Sequence, residues 1–244
     1  MLKSLGQLLL AVLLAGPSLV SAYEVAPVGD GGSVAGKVAF KGEAPKPKRM
    51  LIAKNKEVCG EGEREIVEVA VKGGALGNAV VVLDGIAKGK AWTPVQQKPL
   101  LDQKGCRFTP PLMVVPKGGD LDILNSDPVL HNIHTYEIIG AARRTLFNFG
   151  QPNQGQKLTK PINLRQGEWV KVECDAHDFM HAWMFGAASP YVAVSGEDGT
   201  FAIADVPPGK YRVRAVHPIL GVKEGEVAVS AKGKAEVTFE FQAK

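Results

Sequence analysis

The apolar positions of this chain fall in short runs rather than in long periodic stretches. Val34 to Phe40, Ile66 to Val71, Val80 to Leu83, Leu121 to Leu124, Tyr211 to Val216 and Val237 to Phe241 are rich in valine, isoleucine or aromatic residues. Clusters of Gly, Pro, Asp and Asn separate them. Runs of this length between turn residues predict strands. No stretch carries the spacing of a long amphipathic helix, so the pattern predicts an all-β fold of sandwiches. Alternation is clearest from Glu168 to Cys174, where Val170, Val172 and Cys174 share one face of a strand. That strand would carry a cysteine into the interior.

The loop after it is dense in metal-binding side chains: Cys174-Asp175-Ala176-His177-Asp178-Phe179-Met180. A second imidazole, His131, comes from a distant strand. Soft sulfur with imidazole nitrogen selects copper, and two His, one Cys and a weak Met describe a blue-copper electron-transfer site. The expected ligands are therefore His131, Cys174, His177 and Met180. His134 lies three residues past His131, on the opposite strand face, and reads as a surface or structural histidine, with a further metal ligand as the alternative. His181 and Met184 follow the loop. They read as packing residues, or with Met113 as a secondary copper-acquisition cluster.

Other motifs set this segment in context. A Gly119-Asp120 turn leads into the strand Leu121–Leu124, which ends in Asn125, and the His131-Asn132 pair precedes the Cys-x2-His-x2-Met loop. Together these resemble the small blue-copper proteins, the cupredoxins, and their amicyanin and pseudoazurin members most closely, over residues 98–190. The resemblance implies a Greek-key β-sandwich holding one type 1 copper. It implies that Asn132 hydrogen-bonds to the cysteine loop, and that His177 is the exposed ligand. Phe179, Leu130 and Leu112 would then form an apolar rim where a redox partner docks. Multicopper oxidases and copper nitrite reductases carry histidine beside the cysteine, whereas Glu173 and Asp175 stand there. With no nucleophile elbow, phosphate loop or paired-Cys zinc pattern, the expectation is a carrier and no enzyme.

Residues 191–244 read differently. Glu197-Asp198-Gly199-Thr200-Phe201 is a turn between strands, and Pro208-Gly209-Lys210-Tyr211 leads into another. These motifs resemble the carboxypeptidase regulatory-like, or transthyretin-like, sandwich, whose opening strands match residues 33–40 and 79–84. The expectation is that residues 30–97 and 191–244 form that smaller sandwich, with the copper unit inserted. The alternative is an extended unit over residues 30–190 followed by a separate module. His217 shares a strand face with Tyr211 and Val213 and reads as packed.

Cysteine parity and targeting complete the picture. Of Cys59, Cys106 and Cys174, the simplest pairing joins Cys59 to Cys106 and leaves Cys174 as thiolate. Pairing Cys174 with either partner would destroy the site, and the sequence leaves both possibilities open. Residues 1–22 read as a secretory signal: Lys3, an apolar run from Leu8 to Leu14, then Val20-Ser21-Ala22. That run is far short of the roughly 20 residues needed to span a bilayer, so a periplasmic or secreted protein without a membrane span is expected. A formal charge of +4 is too small to imply nucleic acid. The basic loop holding Lys41, Lys46, Lys48, Arg49, Lys54 and Lys56 reads as a solvated surface. The functional expectation is a copper protein passing single electrons. A copper chaperone or storage protein, and a structural or carbohydrate-binding sandwich, are the alternatives.

Overall fold

The structure, a computed structural model, describes residues 23–243; the leader expected at residues 1–22 lies outside the described residues. Among the described residues the chain is nearly all β, and the two helices there, Lys56–Cys59 and Pro94–Gln97, are single turns.

One sandwich pairs a five-stranded with a four-stranded sheet. The first runs in the order Leu112–Pro116, His181–Ala187, Trp169–Glu173, His131–Ile139, Ala142–Gln151. The second runs Phe108–Thr109, Leu100–Gln103, Asp120–Asn125, Lys157–Pro161. Leu101, Leu121, Ile123, Ile133, Val170, Val172 and Met184 meet between them in one buried core. Period-two alternation explains the choice of faces: His131, Ile133, Thr135 and Glu137 are buried, while Asn132, His134 and Tyr136 between them are only half-buried.

The other sandwich draws strands from both ends of the chain. Val80–Leu83 pairs with Val192–Val194 and with Gly209–His217. Gly32–Lys41 pairs antiparallel with Thr200–Val206 and parallel with Lys234–Gln242. The Asp198-Gly199 turn needs its glycine twice over: φ is +76°, and a Cβ there would stand 2.4 Å from the Val38 carbonyl oxygen.

All four residues of Val80–Leu83 are buried, because its sheet is covered on both faces. Val81 and Leu83 point into their own sandwich. Val80 and Val82 pack instead with Leu112, Phe185 and Ala187, and with Trp169 and Trp183 beside them, in a separate interface core. A strand covered on both sides reads as a continuous apolar run. The interface is also pinned by Arg214, whose guanidinium donates to Asp84 at 2.6 and 2.9 Å and to Glu168 at 2.9 and 3.0 Å. These two carboxylates hold its pKa above the ordinary arginine value, against the effect of burial.

Residues 30–97 do not stay together. The hairpin formed by Lys48–Leu51 and Glu63–Ile66 leaves the second sandwich and packs on the first. Ile52 and Cys59 enter that core, with Met50, Val58 and Ile66 against it. A disulfide from Cys59 to Cys106, 47 residues apart, fixes it there. The run Ile66 to Val71 is correspondingly no strand: the hairpin ends at Ile66, another strand begins at Val71, and Val67 between them is exposed. Here the chain crosses from one sandwich to the other, and its apolar residues serve two cores.

Candidate metal centre

Cys174 directly follows the strand Trp169–Glu173, and the next strand, His181–Ala187, returns antiparallel with His181 opposite Glu173. The seven-residue loop is thus the connection of a hairpin. It turns twice. The His177 amide donates to the Cys174 carbonyl at 3.2 Å, and the Met180 amide to the His177 carbonyl at 2.9 Å. These successive turns fold the loop back on itself. Cys174, His177 and Met180 are all buried, and Cys174 and Met180 belong to the sandwich core.

His131 opens its strand opposite Gln151 and meets the loop. Its Nδ1 lies 3.2 Å from Nδ1 of His177, which lies 3.7 Å from Sγ of Cys174. The three donor atoms all fall within 4.8 Å of one another. Cys174 is the free cysteine among the described residues. With bonds of about 2.0 Å to nitrogen and about 2.3 Å to sulfur, ligands of a common ion stand about 3.3 Å and about 3.5–3.7 Å apart. The residues present fit a metal of borderline-to-soft character.

The outer nitrogens of both rings are tied down. His131 Nε2 is 2.8 Å from the Asp127 carboxylate, and His177 Nε2 is 2.9 Å from Oδ1 of Asn55. Each contact suits Nε2–H as donor, which turns the Nδ1 lone pair inward, the arrangement a metal ligand requires. Asp127 also accepts from the amides of Gly105 and Cys106 at 2.7 and 2.8 Å. Burial alone would raise its pKa; the Cys106, His131 and Gly105 donors together hold it below the ordinary value. His177 is pushed down to about 4, chiefly by burial and further by His131. Burial pushes the Cys174 thiol up, opposed by the amides of Asn132, His177 and Ala176.

Asn132 contacts the loop at two points. Its amide donates to Cys174 Sγ at 3.3 Å, and its Oδ1 accepts from the Asp175 amide at 3.0 Å. The other metal-binding types lie elsewhere. His134 is half-buried on the outer sheet face against Asp175, and neither it nor His181 joins a His/Cys/carboxylate cluster among the described residues. Met184 is fully buried core. His217 is buried in the second sandwich, where its Nδ1 accepts from the amides of Ile219 and Leu220.

The expected surface over His177 is corrected by the structure. His177 is only 2% exposed, Phe179 and Leu112 are buried, and of the expected rim only Leu130, at 50%, is open. The hairpin covers this end of the site. Asn55 sits at its turn in a left-handed conformation, φ 50°, and the Cys59–Cys106 sulfurs lie within 4.8 Å of a His177 ring nitrogen. Arg64 braces the arrangement, donating to the carbonyls of Cys59 and Cys106 and stacking 5.0 Å from the Phe179 centroid. Asn55, Arg64 and Asp127 were missed from sequence. Only Asp127, four residues before His131, carried a local signal; the other two act across distant chain separations.

No family model matches the chain, and no curated protein matches it. Among solved structures, it is similar to a purple cupredoxin from Nitrosopumilus maritimus at 18% identity and TM-score 0.30, over 37% of this chain and 98% of that one. Amicyanin from Paracoccus versutus matches at 11% identity and TM-score 0.30, over 36% and 79%. A copper-containing nitrite reductase from Thermus scotoductus SA-01 matches at 15% and TM-score 0.30, over 40% of this chain and only 24% of the reductase. This chain therefore spans about a quarter of that reductase's length.

Proposed function

We propose that this chain binds one copper ion through His131, Cys174, His177 and Met180 and carries single electrons between redox partners outside the cytoplasm. The observation that carries this reading is the unpaired, buried Cys174 with the two inward Nδ1 atoms beside it. Thiolate, imidazole and thioether together suit copper. When bound, the ion supplies a one-electron couple.

The residues around it supply rigidity and dryness. Asp127 and Asn55 hold the imidazoles in one tautomer and orientation, so little would rearrange as charge changes. The Asn132 amide, donating to Sγ, stabilises negative charge on the sulfur and would tune the potential. All four side chains are buried, which we read as favouring a carrier over an enzyme. The same burial disfavours rapid metal hand-over, and so disfavours the chaperone reading. We read the second sandwich as a carboxypeptidase regulatory-like platform. Export is inferred from the leader sequence; no helix among the described residues is long and apolar enough to cross a membrane.

Reconstitution with Cu(II) tests the reading. An intense visible sulfur-to-copper band and reversible one-electron reduction are expected, and Cys174→Ser should erase the colour. Tight Cu(I) binding without that band would instead establish the chaperone, and a coloured Cys174→Ser protein would overturn the ligand assignment.

A further inference from the structure

The His177 side of the site is closed, but the cysteine side reaches the surface within one residue. Asp175 follows Cys174 directly, and its side chain is half exposed. Its carboxylate oxygens both lie 3.1 Å from Nδ1 of His134, and one accepts from Asn148 Nδ2 at 3.0 Å. A second connection runs from Sγ through the Asn132 amide and Asn132 Oδ1 to the Asp175 amide. The sulfur is thus joined to the outer face of the five-stranded sheet both covalently and through hydrogen bonds.

A layered stack continues outward from that point. The His134 ring lies on Tyr136 with centroids 4.1 Å apart and planes 29° from parallel, and the tyrosine hydroxyl is 2.8 Å from His134 Nδ1. The Arg143 guanidinium lies 4.0 Å from the Tyr136 centroid and pairs with Glu173 at 2.8 Å. Electron coupling falls steeply through empty space and far less through bonds, hydrogen bonds and stacked rings. The thiolate is also the most polarisable donor of the set, which makes it the strongest electronic connection to the ion.

We propose, resting on the copper reading, that electrons enter and leave through the Asp175–His134–Tyr136 stack beside Cys174, and not through the covered imidazole of His177. Arg143 at the outer layer is already paired with Glu173, and with the half-exposed Asp175 beside them the patch carries a net negative charge that favours a cationic one-electron reagent there.

Stopped-flow reduction of the copper-loaded protein by hexaammineruthenium(II) tests this directly. Tyr136→Leu and His134→Gln should each slow reduction by about tenfold, with the visible band and midpoint potential unchanged. The intact band also certifies that each variant is folded. In the metal-free chain, the redox-inert hexaamminechromium(III) should broaden the amide resonances of His134, Tyr136 and Asn148. Wild-type rates in both variants, or broadening centred on Lys54 and Asn55, would overturn the route while leaving the copper assignment standing. A wild-type protein without the sulfur-to-copper band would sink the electron-carrier reading on which the route rests.

Discussion

Asn55 Oδ1 accepts a hydrogen bond from His177 Nε2 at 2.9 Å across 122 residues of sequence. The contact makes a hairpin far from the cysteine loop part of the candidate metal centre. It also closes the face through which the loop's histidine would otherwise meet solvent. Removing it should loosen the ring without removing a ligand. Asn55→Ala is expected to weaken copper binding by about 10- to 100-fold, the usual scale for an outer contact of a ligating histidine. Competition with a chelator of known affinity measures this. Unchanged affinity would reduce Asn55 to a surface residue.

Asp127 joins His131 to the Gly105–Cys106 backbone through three hydrogen bonds. Asp127→Ala leaves the buried Cys106 amide and the buried His131 ring N–H unpaired, each costing about 1–3 kcal/mol, while the exposed Gly105 amide can turn to solvent. Both metal affinity and the stability of the metal-free chain should fall. Denaturant titration and chelator competition on the same variant separate the two effects.

The Cys59–Cys106 bond closes a loop of 47 residues. By loop-closure entropy, replacing both cysteines with serine should cost about 3–4 kcal/mol. The hairpin should also detach more readily from His177. Diethyl pyrocarbonate should then modify His177 in the metal-free double variant faster than in the metal-free parent. Equal reactivity would show that packing alone holds the hairpin.

Glu137 is a fully buried carboxylate that accepts from the amides of Arg165, Gln166 and Gly167 at 2.7–2.8 Å and from Arg144. Burial opposes ionisation, but these donors prevail and lower its pKa from 4.5 to about 2. A depressed carboxylate pKa gives stability that is complete above 4.5 and is lost as pH falls towards 2. Glu137→Gln should lower stability at neutral pH by about 3–5 kcal/mol and flatten the acid limb in that window. Denaturation curves between pH 2 and 6 decide it.

His217 is pushed down to about 4 by burial alone. A depressed imidazole means the unfolded chain takes up the proton first. Stability is therefore complete above pH 6.5 and is lost as pH falls towards 4. His177 titrates over the same range in the metal-free protein, so the informative quantity is a difference. Metal-free His217→Phe should lose less stability than the metal-free parent between pH 6.5 and 4, by up to about 3 kcal/mol.

Turns, donor types and, apart from Ile66 to Val71, the strand runs are local properties, and these were legible along the chain. Period-two alternation marked the cysteine strand, and Asp198-Gly199 marked a turn that only glycine can make. The spacing from Cys174 to His177 marked two donors that one short turn brings together. What the chain order alone did not determine was which core each apolar residue joins. Val80 and Val82 look like Val81 and Leu83 in sequence, yet serve a different interface. Nor did it reveal what covers the site. Asn55, Arg64 and the Cys59–Cys106 pair reach His177 only because the hairpin crosses between the sandwiches, and burial and hydrogen-bond partners of that kind exist only once distant segments are packed.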